Sequence, residues 1–497
     1  MTVRIVLVHS PPHGEVPFRN IGLAYVQGAL ERAGHEPSIC DLSWEEDRAK
    51  TDFYEAYIRT LSERVGDMGD CPNPGLLLEV TRLDDDAEPS AMAKTILGRV
   101  DAHVDRVAAQ GDVFLFSVNT LTVYFASAMA AKLRRAGKKT AAGGPNLGFA
   151  PLRRLLLLSG AFDAVVEGEG EPVVGALAEA LADGRAPAVA GASYVDSSSR
   201  LVETEPGPAP AIDSVARPSF RGLNLADFVS ILASRGCSRR CSFCSEPGNW
   251  QAHRVRDPLD VIDEMETAAT RTGLREFHFH DDQINGSLPF LDRFCATLLE
   301  RGHAFRWESF CGPQGLAPER LERMRRAGCI RLKMGVQSFS PDVLHRMRRR
   351  ADPAELRAAI VDTAHAGIAM HYDLLTCFPG ETEGDHQRNL EMVEGIHGEQ
   401  PGVYMSPNPF YLSLGSETMR LPEQYGLTLR YFDASTLPAS LAATCRRAGQ
   451  FPVGFSSALP RETVIRRLSE LGAILARYGK DYLYLGKDAG RPRALAT

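Results

Sequence analysis

Over the first 200 positions, short apolar runs alternate with amphipathic stretches. Residues 3–8 and 113–118 are apolar runs of strand length, and 37–40, 139–142 and 162–166 read as shorter strands. Residues 22–33 and 122–135 instead repeat their apolar positions at helical spacing. The run at 3–8 is too short for a signal-peptide core and ends in the Pro11-Pro12 turn, so it is read as a first strand. A mostly helical, charged insertion is expected from about 44 to 110. Alternation of this kind predicts an α/β fold with a doubly wound parallel sheet, whose ligands bind beyond the carboxyl ends of the strands.

From position 228 the pattern becomes a repeated strand and helix. Strands are expected at 228–234, 276–280, 305–310, 330–336, 369–377 and 403–412, with a first helix at 258–271. The period-two alternation of 276–280 turns Phe277 and Phe279 toward outer helices and Glu276, His278 and His280 toward an interior. Six such units predict a partial (β/α)6 barrel with its active residues at the carboxyl mouths of the strands. A polar, partly extended seam runs through Ser197 to Ser199 and through Pro206 to Pro210. The expected organisation is a first, Rossmann-like domain at 1–200, a linker at 201–225, the partial barrel at 226–415 and a small, mostly helical C-terminal region at 416–497. The last of these holds a helix near 462–478 and a polar tail at 486–497 that reads as disordered.

The 497 residues are 44% hydrophobic and 24% charged with a formal net charge of −7, which argues against nucleic acid as the main partner. The basic run from Arg346 to Arg350 reads as a solvated helix face. No stretch reaches the ~18 apolar residues of a membrane span, so no membrane partner is expected. Three of the ten cysteines are clustered and seven scattered, which is no disulfide framework and fits a reducing cytoplasm.

The clustered cysteines lie in Arg235-Gly236-Cys237-Ser238-Arg239-Arg240-Cys241-Ser242-Phe243-Cys244, at C-x3-C-x2-C spacing. Three thiolates on one loop can hold three irons of a 4Fe-4S cluster and leave the fourth open to chelation. Glycine lets the backbone approach a bulky cluster, and nearby cations offset its negative charge. A structural zinc site is the competing interpretation; it needs a fourth ligand, and the nearest histidine downstream is His253.

This loop resembles the signature of the radical S-adenosylmethionine (SAM) enzymes, with Phe243 as the aromatic residue before the last cysteine. The resemblance implies that Cys237, Cys241 and Cys244 bind the cluster and that its open iron chelates SAM. One electron from an external reductant of flavodoxin or ferredoxin type would then release a 5′-deoxyadenosyl radical. It also implies SAM contacts at Phe243, Gln337, Ser338 and Gly380, with Glu381 a weaker candidate. Read singly, Ser338 could be a helix cap, and Pro379 to Thr382 a turn and helix start. His278 and His280 are read as polar interior residues rather than metal ligands. Asp281 and Asp282 follow the second strand, and Tyr372, Asp373, Tyr404, Asn408 and Tyr411 are substrate-contact candidates without an assigned role.

The strand ends of the first domain carry small residues: Ser117 and Asn119, Gly143 and Gly144, Gly168 and Gly170. With its Pro-Pro, Gly-Gly-Pro and Gly-Glu-Gly-Glu turns, the region resembles the cobalamin-binding domain of one radical SAM subfamily. That likeness implies cobalamin contacts at Ser117, Asn119, Gly143, Gly144, Glu167 and Gly168; ordinary glycine turns in a domain without cofactor are the alternative. The D-x-H-x-x-G motif that supplies a histidine to cobalt is absent. Its nearest match, Asp101-Ala102-His103, has Arg106 in place of glycine, and His103 is read as a helix-surface residue.

Over residues 1 to about 415 the chain therefore resembles class B radical SAM methyltransferases. The likeness implies that one SAM methylates cobalt and a second is cleaved at the cluster, so that methyl reaches an unactivated carbon of a small-molecule substrate, expected to be a specialised metabolite. Rearrangement, dehydration or oxidation without methyl transfer, with cobalamin auxiliary or absent, stays open, as does a non-catalytic carrier. A tRNA methylthiotransferase is disfavoured, because those relatives carry further cluster cysteines where only Cys40 and Cys71 occur here.

Overall fold

The five apolar runs of the first half form five parallel strands: β1 (Ile5–His9), β2 (Ser38–Asp41), β3 (Val113–Ser117), β4 (Lys139–Gly143) and β5 (Ala164–Val166). The computed structural model describes residues 3–11, 21–42, 71–81, 88–120, 122–223, 225 and 227–480. Pro12, much of the insertion expected at 44–110 and the tail at 486–497 lie outside them.

Two compact units divide the chain. The first takes the described residues up to 225 together with 429–454, and the second takes 227–428 and 455–480. In the first unit the strand order is β2-β1-β3-β4-β5, continued by β6 (Ala192–Val195) and β7 (Leu201–Glu203), which run antiparallel. The order 2-1-3-4-5 reverses direction between β1 and β3, where a sheet of this type opens its ligand crevice. Both faces of the sheet are covered. Ile5, Leu7, Val113 and Leu115 pack with the helices Ile21–Arg32 and Val174–Ala182. Their neighbours Val6, Val8, Phe114 and Phe116 pack on the other face with Val123–Arg135 and Ala150–Leu158. Burial on two faces explains why these strands read as continuous apolar runs rather than alternating ones.

The seam expected at Ser197 to Ser199 is instead the tip of the β6–β7 hairpin. Asp196 accepts hydrogen bonds from the backbone N–H groups of Ser198 and Arg200, and Ser199 sits at φ 61°. A left-handed serine held by an aspartate carries no Asn-Gly or Gly-Gly signal, so the turn looked like linker. Residues 429–454 also join this unit: Leu441, Cys445, Ala448 and Phe451 enter the core beneath Ala150–Leu158.

In the second unit, six parallel strands follow one another in chain order: β8 (Val229–Ile231), then, past the short pair β9 (Ser234–Arg235) and β10 (Arg254–Val255), β11 (Glu276–Phe279), β12 (Arg306–Cys311), β13 (Cys329–Gln337), β14 (Ala369–Thr376) and β15 (Tyr404–Pro409). All six fall where the period of the sequence put them. The edges β8 and β15 are not paired with each other, so the sheet is open. Four of the intervening helices start on side-chain caps, at Asp257, Ser287, Asp352 and Thr382, three of them followed by proline or leucine-proline, which fixes where each of these helices begins. Phe277 and Phe279 face outward into a core with Phe294 and Trp307, as the alternation predicts. The inner side is polar: Glu308, 3% exposed, accepts from Lys333 Nζ at 2.7 Å and Arg331 Nη1 at 2.6 Å.

Gly144, just past β4, has φ 144°, and a Cβ there would stand 2.0 Å from the carbonyl oxygen of Val118. Gly144→Ala is expected to destabilise the first unit by about 2 kcal/mol or more, because backbone, not a flexible side chain, blocks the methyl group. A shifted urea-denaturation midpoint would report it; an unchanged midpoint would mean that the β3 and β4 ends are not this close.

Candidate active site

The loop carrying Cys237, Cys241 and Cys244 leaves β8 and is anchored at several points. Asp281, at the mouth of β11, accepts from Ala233 N at 2.9 Å and Ser234 Oγ at 2.5 Å, which breaks β8 from β9. Gly236 turns at φ 76°, where a Cβ would meet the carbonyl oxygen of Ala252 at 2.7 Å. Ser242 donates its N–H to Met347 O at 2.9 Å and accepts at its carbonyl from Thr418 N at 2.9 Å. These anchors bring the three sulfurs to one cavity of about 190 Å³ at the carboxyl mouth of the sheet.

All ten cysteines are free thiols. Burial pushes Cys237 upward and Cys244 up to about 12, so neither would ionise at neutral pH on its own. Bound metal supplies the missing positive charge, and a coordinating thiol is deprotonated outright. His253, the fourth ligand a zinc site would need, lies against Gly286 and is not among the cavity residues. The site thus fits an iron-sulfur cluster held by three cysteines.

Three carboxylates also line the cavity: Glu246, Asp282 and Asp373. Burial, with Glu246 and Asp281 adding repulsion, pushes Asp282 up to about 7. Burial likewise raises Glu246, which accepts from Trp250 Nε1 at 2.6 Å and Asn249 Nδ2 at 3.3 Å. A cationic ligand group would stabilise both as carboxylates. Asp373, on β14, is pushed up to about 6 by burial.

Phe243 and Gln337 line this cavity, Gln337 from a left-handed position at φ 72°. Ser338 and Gly380 do not. The Ser338 hydroxyl is fully buried, donates to Asn389 Oδ1 at 3.2 Å and accepts from Ser340 N at 3.1 Å. Gly380 clears space for the Arg346 guanidinium, which a Cβ would approach to 2.4 Å. Glu381 points away, 3.4 Å from the buried Arg467 of the helix Arg461–Arg477. At Gly380 and Glu381 the turn interpretation describes the geometry, whereas the helix Pro341–Arg346 is capped by Ser340 and not by Ser338. His278 stacks on Phe228 at 3.6 Å, and His280 faces the Ser230 hydroxyl at 3.0 Å. Tyr372 is turned outward into the core beside Phe339. Arg239 and Arg349 both line the cavity, although the basic run suggested a solvated face for Arg349; the turn that brings it inward has no glycine to announce it.

In the first unit, Ser117 ends β3 opposite Gly143 at the end of β4. A Cβ added at Gly143 or Gly168 would meet nothing within 4 Å, so the ends of β4 and β5 border open space, as a large flat ligand requires. The other two candidates are partly committed to the protein. Asn119 Oδ1 accepts from Thr122 N at 3.0 Å, and Glu167 pairs with the buried Arg153 at 2.8 Å. His103 lies in the turn before the helix Val104–Ala108, against Arg106, and not beyond a strand.

Residues 231–393 match the radical SAM superfamily, spanning β8 through β14 and the cysteine loop. The chain carries a radical SAM domain. Around it, the fold is similar across both units to that of the radical SAM methyltransferase TsrM from Kitasatospora setae with cobalamin and a 4Fe-4S cluster bound, at a TM-score of 0.68, 17% identity and coverage of 100% of this chain and 94% of that one. It is also similar to the cobalamin-dependent SAM radical enzyme OxsB with aqua-cobalamin and SAM bound, at a TM-score of 0.63, 14% identity and coverage of 95% and 66%. Among curated proteins, an uncharacterized methyltransferase of Pyrococcus horikoshii is 26% identical over 51% of this chain and 57% of its own length. The bacteriochlorophyllide d C-12(1)-methyltransferase of Chlorobaculum tepidum is 29% identical over 40% and 44%. The chain thus spans about half the length of the curated relatives it matches. Among the described residues, no helix is long and apolar enough to cross a membrane.

Within the radical SAM domain, burial pushes Glu381 up to about 7, above its ordinary 4.5, despite Arg467. A raised folded-state value means that the native state favours the protonated acid. Its contribution to stability is complete below about pH 4.5 and is lost as the pH rises through 7. Glu381→Gln keeps a neutral side chain at every pH, so its stability relative to wild type is expected to rise between pH 5 and pH 8. Paired denaturation midpoints test this; a pH-independent difference would show that the carboxylate is ionised in the folded protein throughout.

Proposed function

We propose that this protein is a cobalamin-dependent radical SAM methyltransferase that methylates an unactivated carbon of a small molecule, a specialised metabolite. The observation that carries the proposal is the convergence of three cysteine sulfurs on one cavity at the mouth of an open parallel sheet. The likeness of the whole fold to TsrM and OxsB, whose structures contain cobalamin, and the cleared strand ends at Gly143 and Gly168 support the corrinoid part.

When bound, the cluster and the corrinoid supply one-electron reduction of SAM and a methyl donor, chemistry that no side chain provides. The protein contributes positioning. Cys237, Cys241 and Cys244 would hold the cluster through three thiolates, with no fourth cysteine required of the loop. Asp282 and Glu246 face the same space with carboxylates suited to an ammonium group, such as that of SAM. Gln337, Phe243 and Asp373 line the cavity, and the Asp373 carboxyl offers an acceptor to a hydrogen-bond donor of the ligand. An external flavodoxin- or ferredoxin-type donor would supply the electron, as expected of a cytoplasmic enzyme, and neither nucleic acid nor membrane is needed as a partner.

Anaerobic purification from cobalamin-fed cells should give about four irons and four sulfides per chain and about one corrinoid. Cys241→Ala should lose most of the iron and all SAM cleavage. Gly143→Phe, which fills the open end of β4, should keep the iron and lose the corrinoid absorbance. A full cluster without corrinoid in the wild-type protein would sink the methyltransferase interpretation and leave a radical SAM enzyme of another kind.

A further inference from the structure

Arg349 is the fourth of five residues in a basic run, yet only 8% of it is exposed. The helix Pro341–Arg346 ends in a Schellman turn: Arg348 N–H donates to His345 O and Arg349 N–H to Leu344 O, both at 2.9 Å, with Arg348 at φ 52°. This turn normally places glycine at the left-handed position. Here an arginine holds it, its guanidinium paired with Glu417 at 2.5 Å, and the reversal swings the next residue inward. Arg349 Nη1 comes within 3.9 Å of Cys241 Sγ, and Nη2 donates to the carbonyl oxygen of Gly335 on β13. Its Nε–H is buried and has no acceptor among the described residues. The other cavity guanidinium, Arg239, is turned elsewhere, with Nη1 on Arg350 O at 2.8 Å.

We infer that Arg349 is a positioning residue that donates a charged hydrogen bond to the Cys241 thiolate and thereby raises the reduction potential of the cluster bound there. The inference rests on the assignment of Cys237, Cys241 and Cys244 as cluster ligands. Hydrogen bonds to the sulfurs and the net charge around a cluster are among the determinants of its potential. Reduction adds one negative charge, so a fixed cation at the sulfur favours the reduced form more than the oxidised form. Arginine is suited to this because it stays charged when buried and its fork is oriented here by the Gly335 carbonyl. Burial also limits screening by salt, so the effect survives at physiological ionic strength.

The test uses the full chain, purified anaerobically and reconstituted, as wild type, Arg349→Gln, Arg349→Lys and the exposed neighbour Arg350→Gln. Iron and sulfide are counted, and the reduced cluster is followed by electron paramagnetic resonance during a redox titration. Arg349→Gln is expected to keep its iron and to show an about tenfold lower reduced-to-oxidised ratio at a fixed potential, equivalent to about 59 mV for one electron. Arg349→Lys should fall between, and Arg350→Gln should match wild type. A fully loaded Arg349→Gln protein at the wild-type potential overturns the inference. If that variant assembles no cluster, Arg349→Lys decides: a loaded cluster at the wild-type potential overturns it, as does cluster loss from both variants with native circular dichroism, which would make the role structural. Wild type without a cluster is a separate failure, of the ligand assignment itself.

Discussion

Three thiols must sit together, out of bulk water, and be ionised. Burial alone opposes this, holding Cys244 near 12, so the thiolates are tenable only with metal cations among them and donors around them. Much of the second unit can be understood as meeting that requirement. Asp281 fixes the start of the loop, Met347 and Thr418 fix its middle through Ser242, and the backbone N–H of Arg239 reaches Cys237 Sγ at 3.5 Å. Arg349 adds a guanidinium at the second sulfur.

The same economy governs the sheet that carries the loop. Its outer face is an aromatic core built on Phe277, Phe279, Phe294 and Trp307, with ring centroids 5.5 to 5.9 Å apart where they touch. Its inner face buries charge, but in satisfied form, with Glu308 between Lys333 and Arg331 and His278 also within 3.5 Å. A buried carboxylate with two cationic donors is tolerable where an unpaired one is not. Among the described residues Asp373 has no such donors; His371 stands 3.7 Å away, and Asp373 lines the cavity. The two carboxylates thus differ in kind: Glu308 is paired within the protein, and Asp373 is left facing the cavity.

In the first unit the constraint is steric. The sheet reverses its order between β1 and β3, and Gly143 at the end of β4 and Gly168 in the turn after β5 have open space beside them. Gly144 acts oppositely, since it is there to let two strand ends touch. Adjacent glycines of one motif therefore do different work, one clearing room and one permitting contact, and the spacing of the motif cannot distinguish them.

The sequence by itself determined whatever depends on local period and local spacing. Apolar runs of strand length fixed β1 to β5, alternation fixed the two faces of β11, and the C-x3-C-x2-C loop put three sulfurs within reach of one cluster. These follow because side-chain direction repeats every two or 3.6 residues and a short loop cannot separate its own cysteines far. The tertiary structure decided whatever depends on a turn without a signature or a partner remote in the chain. Ser199 and Arg348 adopt left-handed conformations that glycine would have announced, so the β6–β7 hairpin and the inward swing of Arg349 stayed hidden. Ser338 and Glu381 look like cavity residues until Asn389 and Arg467, 51 and 86 positions away by the numbering, claim them. A polar side chain's role is set by which partner reaches it first, and that is a property of packing in three dimensions.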